Sequence, residues 1–117
     1  MSTWLDTLPP DFRCEPLAGD AAGIVLLHTP VDWSDGDGIT LIWDPVADTL
    51  SDGGETAFRL WAFGDAPEDA CAAYALPPVQ HAAWGLSVPH PTSGESARAL
   101  LRAMQAADRW LAELQDA

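Results

Sequence analysis

Lysine is absent from this 117-residue chain, and arginine supplies all five basic side chains against 18 aspartates and glutamates. The resulting formal net charge of −13 argues against functions that begin with attraction to phosphate. A surface this acidic repels nucleic acid and anionic membrane and draws basic protein surfaces toward it. Cysteine is scarce: Cys14 and Cys71 stand far apart and in no C-x-x-C spacing, so they read as small buried apolar side chains rather than as metal ligands or a disulfide. Long apolar runs are missing, since no stretch of about 18 apolar residues exists to span a membrane. The first residues, MSTWLDTLPPDFR, lack the basic segment followed by an apolar one that marks a signal peptide, and the cytoplasm is the expected compartment. Also lacking are a G-x-S-x-G elbow, a phosphate loop with its lysine, and a cysteine beside a base, so no catalytic residue is assigned and no cofactor is expected.

What is present is enough to fold. Apolar residues make up 48% of the chain and include six tryptophans, which disordered chains do not carry. The length suits a single domain over residues 1–117 that buries about two-thirds of its unfolded surface.

The pattern of elements predicts an α+β fold. Ser2 to Leu8 reads as a short helix capped by Ser2 or Thr3 and stopped by Pro9-Pro10. Asp11 to Leu17 is irregular or an edge strand, because Pro16 cannot sit centrally. Gly23 to Thr29 is an apolar run of strand length closed by Pro30. Ile39 to Trp43 follows after a turn-rich stretch, and Asp48 to Ser51 gives a third short strand. Short connections make these an antiparallel meander. Ser51-Asp52-Gly53-Gly54 reads as a turn and helix cap; the helix from Glu55 to Phe63 lines up Phe58, Trp61 and Ala62 on one face. Gly64 stops it, and a further short helix from Pro67 carries Cys71, Tyr74 and Leu76. Ala83 to Val88 alternates as a strand through Trp84, Leu86 and Val88. Thr92 and Glu95 form a capping box for a long helix from about Ser93 to Gln115. Its apolar stripe is Leu100, Met104, Ala107, Leu111 and Leu114, widened by Ala97, Leu101 and Trp110. The expected architecture is a meander of three or four strands packed on this helix and on one or two shorter ones.

Charge is unevenly spread along that architecture. Asp32, Asp35, Asp37, Asp44, Asp48, Asp52 and Glu55 fall in one segment without a basic residue. Hairpin loops can gather several of them at one end or face of the sheet, where they would occupy positions that nucleic-acid phosphates take on a basic protein. Aspartate is also simply a good turn former. Trp33 and Trp43 flank the second strand, either as core or as aromatic anchors among the carboxylates. Aligning Gly38 with the glycine of a calcium loop puts Trp33 at the first ligand position and Asp44 at the last, which argues against calcium. His28, His81 and His90 lack helical metal spacing. Arg98, Arg102 and Arg109 fall within about 40° of one another on the long helix, with Arg109 and Glu113 spaced as an i, i+4 pair.

Residues 28–64, HTPVDWSDGDGITLIWDPVADTLSDGGETAFRLWAFG, resemble the small bacterial and phage domain family DUF1828. The matches are Thr29-Pro30 at a strand end, Gly36-Asp37 before the second strand, and Leu50-Ser51-Asp52-Gly53-Gly54-Glu55-Thr56 at a helix start. Ser51 stands where the family tends to have threonine, and one extra residue separates Asp-Gly from Thr56. The resemblance implies an α+β fold and an association with mobile elements, and it brings no catalytic residues.

The expected function is therefore a non-enzymatic acidic protein with Asp32, Trp33, Asp35, Asp37, Asp44, Asp48, Asp52 and Glu55 forming the partner-binding face. The partner would be a basic protein, such as a nucleic-acid-binding host defence complex that this chain inhibits, with no direct contact to nucleic acid or membrane. Two alternatives stand beside it: a small metal-assisted hydrolase using the Asp cluster, and an interaction domain whose acidity reflects a salt-adapted proteome.

Overall fold

The computed structural model describes residues 4–17, 19, 23–62, 73–82 and 85–116. Strand-length apolar runs broken by Asp- and Gly-rich turns give β1 (Arg13–Pro16), β2 (Val25–Asp32), β3 (Gly38–Asp44), β4 (Thr49–Ser51), β5 (Gln80–Ala82) and β6 (Gly85–Pro89). Helix α1 (Glu55–Trp61) separates β4 from β5, α2 (Gly94–Asp116) ends the chain, and a 3-10 helix, Trp4–Thr7, precedes the strands. All neighbouring strands are antiparallel in one sheet of order β1-β2-β3-β4-β6-β5.

The period-two alternation of a strand sorts the sheet into two faces. On β3, Ile39, Leu41 and Trp43 are buried while Thr40 and Ile42 are half-buried. Leu27 lies opposite Leu41, and Leu50 opposite Trp43 and Val88, so these residues form one continuous inner face. Ala97, Leu100, Met104, Ala107 and Leu111 of α2 complete the core against it. The fold is thus the expected α+β unit, a meander on a long C-terminal helix. The sheet reaches six strands because Arg13–Pro16 adds an edge beside β2 and Gln80–Ala82 folds back on β6 as a hairpin.

Several local expectations are corrected. Strand β2 does not close at Pro30 but runs on to Asp32, with a register shift between His28 and Asp32. Pro30 sits where the ladder lapses, so its missing N–H breaks no pairing; Thr29 Oγ1 donates to the Ile39 carbonyl at 2.8 Å across the gap. Helix α1 buries Thr56, Ala57 and Leu60, whereas Phe58, Trp61 and Ala62 face out. Helix α2 is capped by Ser93 rather than Thr92: the Ser93 hydroxyl accepts from Glu95 N–H at 3.2 Å and its carbonyl from Ser96 N–H at 3.0 Å. The Thr7 hydroxyl accepts from Gly94 N–H at 2.6 Å, a cap supplied from the opposite end of the chain. Arg98 and Glu95 are 3.5 Å apart, and among the described residues this is the ion pair α2 makes, not Arg109 with Glu113. Cys14 is exposed, on the edge strand β1. Tyr74 and Leu76 lie outside any helix. The expectations for Ser2, Thr3, Gly64, the Pro67 helix start, Cys71 and Trp84, and for the Leu114 side chain, fall outside the described residues. Among those that are described, no helix is long and apolar enough to cross a membrane.

Candidate functional site

The seven carboxylates between Asp32 and Glu55 do not share one face; the structure divides them by job. Asp52 is buried at 3% exposure and accepts backbone N–H bonds from Gly54 at 2.9 Å, Thr56 at 3.2 Å and Leu86 at 3.2 Å. It stitches the start of α1 to β6 and has no surface to offer a partner. The turn it holds passes through Gly53 and Gly54 at φ of 66° and 82°, a left-handed conformation that side chains resist. By bonding the N–H of Thr56, Asp52 also sets the rotation of α1, which explains why Phe58 and Trp61 emerge on the outside.

Asp44 and Asp48 occupy the β3–β4 turn, at the opposite end of β3 from the β2–β3 loop. Asp44 accepts from Val46 and Ala47 N–H at 3.0 and 3.2 Å, which is the ordinary turn-forming use of aspartate. Asp48 Oδ2 lies 2.7 Å from His90 Nδ1. Asp32, at the end of β2, is exposed. The two tryptophans are core: Trp33 and Trp43 are 2% and 3% exposed, and Trp43 meets Trp4 edge-on at 5.3 Å between centroids. Trp33 therefore cannot touch a partner as expected; it acts from below.

Above it three of these seven carboxylates converge. Arg59 of α1 sits 4.4 Å over the Trp33 ring, a cation–π geometry. Its Nη1 donates to Asp35 Oδ2 at 2.6 Å, Nη2 to Asp37 Oδ2 at 3.2 Å and Nε to Glu55 Oε1 at 2.9 Å. The planar fork of a guanidinium is what allows three carboxylates and a ring to be served at once. Asp108 of α2 joins from the other side, taking the Ser34 N–H at 3.1 Å and the Ser34 hydroxyl at 2.9 Å. Together these groups line a surface groove of about 330 Å³ that Phe58 and Leu111 also border.

The electrostatics follow from that geometry. Hydrogen bonding to Arg59 holds the Asp35 carboxyl below the usual range, helped by the Asp37 backbone N–H. Burial pulls the Arg59 proton affinity down, but hydrogen bonds to Asp35 and Glu55 outweigh it and leave the guanidinium more firmly protonated than usual. A depressed folded-state pKa at Asp35 contributes stability that is complete above the ordinary value of 3.8. That contribution is lost as pH falls through the lower folded value. In Arg59→Met the three carboxylates face one another without their cation, so the variant is expected to melt lower than wild type at neutral pH. Thermal melts followed from about pH 6 to pH 2 should show the two curves converging in acid; a gap unchanged at the acid end would refute the assignment.

Among the described residues no histidine lines this groove. His28 Nε2 pairs with Glu15 Oε1 at 2.9 Å, His90 with Asp48, and His81 is exposed on β5. Among the described residues no three His, Cys, Asp or Glu side chains are grouped to hold a metal ion. Arg59 and Asp108 were not among the residues expected at the site. The spacing of Glu55 and Arg59, i to i+4 on a helix, is the local signal for the first; Asp108 lies 74 residues from Ser34 and leaves none. Compared with known proteins, the chain matches no family model, no curated protein and no solved structure.

Proposed function

We propose that this protein is a non-enzymatic acidic binding protein that docks its Arg59 corner on a basic, nucleic-acid-binding protein. One observation carries the reading: Asp35, Asp37 and Glu55 gather around a single guanidinium and Asp108, held on Ser34, lines the same groove, so the groove carries four negative charges against one positive, an excess of three. Asp35, Asp37 and Glu55 keep side-chain exposures of 48%, 76% and 45%, so their outer lone pairs remain open to a second cation. Their mutual spacing is held by Arg59 and Trp33 rather than by solvent, which spares a partner the cost of ordering them. Asp44 and Asp48 lie at the other end of β3 and add to the long-range field rather than to the contact. On the motif likeness of residues 28–64 alone, which no family model matches, the proposal extends to a mobile-element product that blocks a host defence complex in the cytoplasm.

The test is competition for duplex DNA. Adding the protein to the basic DNA-binding fraction of a host extract should lower retention of labelled DNA, increasingly so at low salt. Asp35→Asn with Asp37→Asn and Asp108→Asn keeps an amide oxygen on Arg59 and Ser34 but removes three charges, and should weaken competition about tenfold. Equal competition by the neutralised protein, or none by wild type, would defeat the reading.

A further inference from the structure

We infer that Phe58 and Trp61 form an aromatic ridge on α1 that anchors an arginine-bearing, amphipathic segment of the partner, a deepening that rests on the acidic docking reading above. Phe58 is 63% exposed and Trp61 59%, three residues apart on a helix and therefore neighbours on its outer surface. Among the described residues the other large exposed apolar side chains, Leu17, Val46 and Leu76, each stand on a different connection. An exposed aromatic pair on a helix whose inner face is already buried serves no packing purpose among the described residues.

Charge complementarity selects what covers it. Phe58 borders the groove together with Asp35, Asp37, Glu55 and Asp108, so an occupant of the ridge lies within reach of the excess negative charge. A second copy would bring the same carboxylates and a net charge of −13 against them, and is repelled. Nucleic acid and anionic lipid are repelled likewise. A cationic polypeptide is attracted. Arginine fits better than lysine because its planar head pairs side-on with carboxylates while stacking on a ring. The chain already builds that arrangement once, with Arg59 lying 4.4 Å over Trp33 and its edges held by acids. The outer layer repeats it with Phe58 as the ring and a partner arginine as the cation, and Trp61 takes the apolar flank of the same segment.

Two labelled synthetic peptides of equal length and charge test this, one alternating arginine with leucine and the other arginine with serine. Binding to the full chain is read by fluorescence anisotropy at low and moderate salt. The Arg/Leu peptide should bind wild type more tightly and keep part of its affinity as salt rises. Phe58→Ser with Trp61→Ser should weaken the Arg/Leu peptide about thirtyfold, to the level of the Arg/Ser peptide, with an unaltered circular dichroism melt. Unchanged Arg/Leu binding by that variant, alongside loss of binding on Asp37→Asn with Asp108→Asn, overturns the ridge and leaves the acidic docking reading standing. Failure of both peptides to bind wild type overturns both. A wild-type dimer in sedimentation velocity that the serine variant dissolves also overturns the inference, because a second copy is then the occupant.

Discussion

Asp52→Ala is expected to cost about 3–5 kcal/mol of folding stability, enough to bring a small domain close to its unfolding midpoint in water. The carboxylate accepts three backbone N–H groups, from Gly54, Thr56 and Leu86, at a site only 3% exposed. Alanine takes this acceptor from all three donors, and for the two in buried bonds, Thr56 and Leu86, each orphaned N–H costs about 1–3 kcal/mol before any cavity is counted. The loss is structural as well as energetic, since the same carboxylate ties the first turn of α1 to β6. Asp52→Asn retains one acceptor oxygen but presents an amide N–H to the remaining donors, so its effect should fall between wild type and alanine. Urea unfolding followed by tryptophan fluorescence gives the measurement. A midpoint for Asp52→Ala within about 1 kcal/mol of wild type would mean that Gly53 and Gly54 hold the turn without the carboxylate.

Gly94→Val, at a buried glycine, should be the next most damaging change, at about 3 kcal/mol. Glycine near a helix start is often improvable, because a side chain there restricts the unfolded chain and gains about 0.4–1 kcal/mol. That gain is outweighed here. A Cβ on residue 94 would stand 2.5 Å from the Thr7 carbonyl oxygen, 3.0 Å from its carbon and 3.1 Å from Leu8 Cα. These are backbone atoms that cannot rotate aside, so the 3-10 helix Trp4–Thr7 must move away from α2. The move would draw Trp4 from its edge-on contact with Trp43 and break the Gly94–Thr7 bond that caps α2. Limited proteolysis near the N-terminus should accelerate in step with the loss of stability. A variant as stable and as protease-resistant as wild type would show that this docking is dispensable.

Much of the architecture was legible because it is written in local periodicity. The apolar runs ending near Thr29 and from Ile39 to Trp43 each declare a strand, and the stripe from Ala97 to Leu111 declares a helix and its buried side, without help from the rest of the chain. The errors arose where a tertiary bond overrides a local pattern. Phe58, Trp61 and Ala62 have helical spacing, yet the rotation of so short a helix is decided by Asp52 reaching Leu86. Pro30 reads as a strand end, but a lapse in pairing lets β2 pass through it. At the candidate site, Asp35, Asp37 and Glu55 were visible as carboxylates, while their convergence on Arg59 depends on how the β2–β3 loop folds over α1. Trp33 reads in sequence either as core or as an aromatic anchor; in space it is the floor beneath that arginine. Asp44, Asp48 and Asp52 carry the same charge in sequence and entirely different duties in space.

The Arg59 corner has a further consequence for time rather than for energy. Its bonds join residues 24 and 22 positions apart through Arg59, and 74 apart through Ser34 and Asp108. Closing such loops is rewarded only after the hairpin, α1 and α2 have already come together. Contacts made that late are expected to be missing from the folding transition state, so Arg59→Met should unfold faster in stopped-flow measurements while refolding at nearly the wild-type rate. The corner is a latch: it sets how long each folded molecule persists, and a cationic segment seated on it would hold the latch shut.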